Sequence, residues 1–180
     1  MKKLLIISIL FLYFQPSFSQ NKTNKTIEVS GDALLLVIPA ATIGTTLVLG
    51  DKKGTWQFTK GFLVNGAVSF GLKSIIDKQR PNMENDNSFP SAHTSIAFQS
   101  ASFIQKRYGW KYGIPAYVLA GYTGYTRLDA DKHDIVDVLV GAAIGIGSTY
   151  IFTTPYQQEH MELTYSTKDG NYLIGFTFKF

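Results

Sequence analysis

Apolar residues run along the chain in five blocks, approximately Ala33 to Leu49, Trp56 to Asp77, Ser91 to Arg107, Ile114 to Leu128 and Asp134 to Thr153. Each is long enough for several helical turns. The links between them, GDKKGT, KQRPNMENDNSFP, YGWKYG and DADKH, carry the Gly, Pro, Asn and Asp of turns. The pattern predicts an all-α fold, an antiparallel bundle of about five helices with its core over 33–154. The tail, MELTYSTKDGNYLIGFTFKF, changes period: Tyr172, Ile174, Phe176, Phe178 and Phe180 alternate after Asp169-Gly170. That alternation predicts a β-hairpin over 161–180. A lone hairpin is marginal in water, so it is expected to dock on the bundle, a membrane surface or a partner. Two strands cannot close a barrel, which argues against the outer-membrane strand that the terminal phenylalanine resembles.

The first twenty residues, MKKLLIISILFLYFQPSFSQ, join a two-lysine start, an apolar run from Leu4 to Phe14, a break at Pro16, and small residues Ser17 and Ser19. This reads as a signal peptide over 1–19 followed by one domain over 20–180. The alternative is an uncleaved anchor helix, for which the run is short against the ~20 residues of a span. Either way the remainder is expected outside the cytoplasm, on the periplasmic side of a bacterial membrane. Five apolar helices are hard to hide in so small a soluble monomer. Asn65, Gln99, Ser100 and Ser102 interrupt them, yet the favoured reading is a membrane-embedded or membrane-associated protein.

Charge adds little to this. The formal net charge of +4 includes Lys2 and Lys3 of the leader, and no basic stripe interleaves with aromatics, so nucleic acid is not an expected partner. Cysteine is absent, which removes disulfides and thiolate chemistry.

The stretch TRLDADKHDIVD, from Thr126 to Asp137, crowds an arginine, a histidine and four aspartates between two apolar blocks. His133 and Asp137 stand one helical turn apart, so the carboxylate can fix the imidazole tautomer and leave the other nitrogen nucleophilic. A chance surface pair or half of a metal site fits the same spacing. Arg127, across a short link, falls at the same end of the bundle and suits a tetrahedral oxyanion, although a solvated helix end is an equal reading. In FPSAHTS, Ser91 is placed to cap a helix whose first N–H groups, with Ala92, favour an anion, and His93 there could protonate a leaving oxygen. Lys73 and Arg80 lie two helical turns apart at a helix end before Pro81. Each fragment has a bland explanation. In an antiparallel bundle, however, all of them meet at one end.

These residues form three ordered motifs, K-x6-R-P from Lys73 to Pro81, P-S-A-H from Pro90 to His93 and T-R-x5-H-x3-D from Thr126 to Asp137. They resemble the signatures of the type 2 phosphatidic acid phosphatase and vanadium haloperoxidase superfamily. Two positions depart from the family's usual pattern, Ala92 for glycine and Thr126 for serine. The resemblance implies a metal-free phosphatase without cofactor, acting on phosphate monoesters or diphosphates, with lipid phosphates as the substrate class. It implies His133 as nucleophile, His93 as acid, Asp137 as orienting carboxylate, and Lys73, Arg80, Ser91, Ala92 and Arg127 as the phosphate cradle. The rival expectations are a vanadate-dependent haloperoxidase and a non-catalytic membrane or scaffold protein packed through small residues such as Gly141 and Gly145.

Overall fold

The computed structural model describes residues 25–156, 161–168 and 171–178. The expected signal peptide, the Asp169-Gly170 turn, His160 and Phe180 lie outside them. Five long helices follow one another: α1 (Lys25–Val48), α2 (Lys52–Ile75), α3 (Ala92–Tyr108), α4 (Trp110–Asp129) and α5 (Ile135–Phe152). Two strands, β1 (Met161–Lys168) and β2 (Asn171–Phe178), come after them and pair antiparallel, with Tyr165 and Tyr172 stacked at 5.9 Å between ring centres.

The helices begin where side-chain acceptors meet orphan N–H groups. Asp51 accepts from the Gly54 N–H at 2.8 Å at the head of α2. Asp134 caps α5 and forms a reciprocal box with Asp137. Asp131 sits in the preceding turn with φ 50°. Gly109, at φ 95°, ends α3 and starts α4 in one residue, a conformation that a side chain would resist. α1 starts at Lys25, upstream of the expected Ala33. Its extra turns are polar and are fixed by tertiary contacts: Ser30 shares a hydrogen bond with the Tyr122 hydroxyl at 2.9 Å, and Glu28 pairs with Lys132 at 3.0 Å.

α3 is the axis of the bundle, with the other four helices packed around it. Its buried residues are mostly small or polar: Thr94, Ser95, Ala97, Gln99, Ser100, Ala101 and Ser102. They bond across helices, Ser69 with Ser95 at 3.1 Å and Ser102 with Thr149 at 2.8 Å. Large apolar side chains point outward instead, among them Leu36, Leu63, Phe70, Val118, Leu139 and Ile151. An interior of small hydrogen-bonded residues under an apolar exterior is the arrangement of helices packing in lipid. α1 and α5 are each long and apolar enough to cross a membrane.

The tightest contact runs between α3 and α5. A Cβ on Gly141 would lie 2.5 Å from the Ser91 carbonyl oxygen, and one on Gly145 would lie 2.7 Å from the Gln99 nitrogen and closer still to the Ser95 carbonyl. The backbones meet because these glycines have no side chain. The far end of the bundle is closed by a buried ion pair. Arg107 donates to Asp51 through Nε and Nη2 at 2.8 and 2.6 Å and to the Thr154 carbonyl through Nη1 at 2.9 Å, while the Tyr108 hydroxyl adds a bond to Asp51 at 2.9 Å.

Gly145→Ala is therefore expected to lower stability by about 1–3 kcal/mol through overpacking against backbone that cannot give way. Gly147, on the same helix with no neighbour within 4 Å of a built Cβ, is the control. Gly147→Ala should be neutral or stabilising, by up to about 1 kcal/mol from helix propensity. Melting in detergent measures both, and equal midpoints for the two variants would contradict the close helix contact.

Candidate active site

Four chain segments converge at the end of the bundle opposite Arg107. They are the last turn of α2 with the following segment 76–91, the first turn of α3, the α4–α5 link, and the first turns of α1. Backbone bonds stitch them together. The Ser91 N–H donates to the Asp137 carbonyl at 3.0 Å, the Asn82 N–H to the Asp131 carbonyl at 2.9 Å, and the Lys132 and His133 N–H groups to the Arg127 carbonyl at 3.1 and 3.3 Å.

His133 is buried, with Nδ1 facing the Asp137 carboxylate at 3.6 Å. That distance is too long for a hydrogen bond, and Nδ1 has no hydrogen-bond partner among the described residues. The expected histidine–carboxylate pair is thus adjacent but unbonded. The reason lies in the competing duties of Asp137, which is fully buried. Its Oδ1 accepts from Lys78 Nζ at 2.7 Å, and its Oδ2 accepts from the Ser88 hydroxyl and from the Asp134 N–H at 3.1 Å. The capping box draws the carboxylate toward the helix start and away from the imidazole.

The cations are arranged differently from one another. Lys73 donates to the Asn87 carbonyl at 2.7 Å. Arg80 pairs with Glu84 at 3.2 Å through Nη1, while its buried Nε–H has no acceptor among the described residues. Arg127 is anchored through each of its three nitrogens, with Nη1 to Asp32 at 2.8 Å, Nη2 to the Glu28 carbonyl at 2.7 Å and Nε to the Thr126 hydroxyl at 3.1 Å, which leaves two of its five N–H donors for an anion. Thr126, one of the two departures, holds its hydroxyl in place by donating to the Thr123 carbonyl at 2.8 Å.

Ser91 caps α3, accepting from the Thr94 N–H at 3.5 Å. Its own N–H is taken by Asp137, so it is not available to an anion as the sequence suggested. The first-turn N–H groups left over belong to Ala92 and His93. Ala92 also lines a largely apolar cleft of about 140 Å³ with Lys73, Phe70, Ile96, Ser69 and Asn65. His93 Nε2 lies 3.0 Å from Asp32 Oδ1.

All eight residues singled out in the sequence therefore fall at this end of the bundle. Four more stand with them: Lys78 and Ser88 on Asp137, and Glu28 and Asp32 on Arg127. Lys78 is inside the K-x6-R spacing and Ser88 just ahead of P-S-A-H, so both were within sight. Glu28 and Asp32 belong to a helix start that the apolar pattern does not reveal. A buried guanidinium N–H without an acceptor among the described residues, beside an imidazole and a lysine, could receive an oxyanion next to a nitrogen able to attack it.

A protein-family model described as the PAP2 superfamily matches residues 54–161. The chain belongs to the PAP2 superfamily. Among its relatives in that superfamily, the lipid A 4'-phosphatase of Helicobacter pylori (strain J99) is 29% identical over 195 residues, covering 99% of this chain and 98% of that protein. A lipid A 1-phosphatase of Porphyromonas gingivalis is 38% identical over 87 residues, 47% of this chain and 19% of that protein. The crystal structure of Aquifex aeolicus LpxE superposes with a TM-score of 0.54 at 20% identity, covering 76% of this chain and 96% of that one, a likeness of fold.

Burial, with the positive charges of Lys73 and Arg80, pushes the His133 imidazole down to about 4 against the opposing pull of Asp137. His133 is thus neutral at pH 7, the form that a nucleophilic role would require. The acid limb of kcat/KM should fall near pH 4 and not near the ~6.5 of a solvated imidazole. Between those values the unfolded chain binds a proton that the fold does not, so acidification through that window should also destabilise the protein. Melting at pH 7 and pH 5 measures this: the wild type should lose more than His133→Gln does, and equal losses would contradict the buried neutral state.

Proposed function

We propose that this PAP2-superfamily enzyme removes phosphate from a phosphorylated lipid through a phosphohistidine, without a metal. The observation that carries the reading is the pairing of a neutral, buried His133 with the unpartnered Nε–H of Arg80 at one mouth. His133 Nε2, the nitrogen turned from Asp137, attacks phosphorus as the bond to the leaving oxygen breaks. His93 supplies the proton that this oxygen needs. Lys73, Arg80, Arg127 and the N–H groups of Ala92 and His93 hold the other phosphoryl oxygens while charge redistributes. Water then attacks phosphorus, the P–N bond breaks, and orthophosphate leaves with His133 restored.

Three features support a lipid substrate at a membrane. The exterior of the bundle is apolar, a largely apolar cleft leads from Lys73 and Ala92 along α2 and α3, and the lipid A 4'-phosphatase likeness runs along almost the whole chain. Lys52, Lys53, Lys106 and Lys111, with Trp56, Trp110 and Tyr112, gather at the end away from the site. We read that end as the cytoplasmic one and the site as periplasmic, reached by export through residues 1–19. The C-terminal 161–180 is assigned as a docking hairpin outside the chemistry.

Orthophosphate release from a lipid monophosphate by protein purified in detergent is the test. His133→Ala should lose on the order of 10³-fold or more of turnover, and a chelator should leave the wild-type rate unchanged. Near-normal turnover in a folded His133→Ala protein would overturn the phosphohistidine, and recovery of a chelated enzyme on adding divalent ion would overturn the metal-free route.

A further inference from the structure

Asp32 lies in α1, ahead of residues 54–161 that the superfamily model matches, yet it is built into the site. One carboxylate oxygen, Oδ1, accepts from both His93 Nε2 at 3.0 Å and Arg127 Nη1 at 2.8 Å. The approach is deliberate in packing terms. Gly31 presses so close to Thr126 and Arg127 that any Cβ there would overlap both side chains, and the Glu28 carbonyl one turn earlier accepts from Arg127 Nη2 at 2.7 Å. α1 is thereby held against α4 in the turn that leads into Asp32.

We propose that Asp32 is the positioning residue of the leaving-group acid, giving His93 a carboxylate partner as Asp137 neighbours the nucleophile. The inference rests on the phosphatase reading above. A carboxylate between an arginine and a histidine offsets their mutual repulsion and favours the protonated ring. It also fixes which nitrogen acts. With Nε2 held by Asp32, Nδ1, which has no hydrogen bond among the described residues, is the nitrogen left for substrate.

The proton inventory closes over both displacements. As the bond from His133 Nε2 to phosphorus forms and the bond from phosphorus to the leaving oxygen breaks, the His93 Nδ1 proton passes to that oxygen and the free alcohol departs. His93 is then neutral, with its Nε2–H still on Asp32. When water attacks phosphorus, its proton returns to Nδ1, the P–N bond breaks, and orthophosphate is released.

A carboxylate that merely anchored Arg127 would fit the same contacts, and leaving-group chemistry separates the two roles. Arg127 meets phosphoryl oxygens common to every ester. An acid matters only where the leaving oxygen needs a proton: an alkoxide does, and 4-nitrophenolate does not. The experiment measures kcat/KM of wild type, Asp32→Asn and Asp32→Glu on hexyl phosphate and on 4-nitrophenyl phosphate in detergent. Asp32→Asn should lose about 10–100-fold on hexyl phosphate, at least about tenfold more than on the nitrophenyl ester, since an acid contributes on the order of 10²–10⁴. Asp32→Glu should recover part of the difference. The ratio of the two esters is taken within one preparation, so the folded fraction cancels. Equal losses on both esters, or none on either, would overturn the inference while wild-type turnover keeps the phosphatase reading. A wild type that hydrolyses neither ester would overturn that reading and this one together.

Discussion

A desolvated carboxylate must be paired, and the buried Asp137 carboxylate is the pairing point on which the site end of the bundle depends. Lys78 reaches it from the segment after α2, Ser88 from the approach to α3, and the Asp134 N–H from the start of its own helix. The Asp137 carbonyl in turn receives the Ser91 N–H. Removing any of these partners leaves charge or a polar group stranded, so the three segments hold one another in register. Because the carboxylate answers to all of them, its hold on His133 is indirect, through distance and field.

The same geometry depends on the close contact of α3 and α5. Gly141 and Gly145 let the two backbones meet, which brings the first turn of α5 against the Ser91 carbonyl. The pair looks in the sequence like a packing stripe of a scaffold. In the fold it sets the spacing between the P-S-A-H turn and the helix bearing Asp137, so packing and chemistry share one feature.

Much of this was legible from residues alone. The five helices follow from apolar blocks and turn chemistry, and the gathering of the eight candidate residues at one end follows from three spaced motifs. What the pattern concealed was the polar start of α1, because Glu28, Ser30 and Asp32 form a helix only through partners on α4 and its link, contacts distant in sequence. Cap choice was equally hidden: Asp131 and Asp134 are alike in composition, and only the positive φ at Asp131 decides between them. The Ser91 N–H could not be known to be occupied until α5 lay beside it.

The two ends of the bundle are held by different kinds of force. At the far end, Arg107 and Asp51 are paired out of contact with water. At the mouth, Lys132 bridges Glu28 and Glu84, and Arg80 pairs with Glu84, all partly exposed. Dissolved ions screen the second set and barely reach the first. Salt therefore slackens only the outer ties of the mouth, while the buried bonds of Asp137 and Arg107 keep their hold at either end.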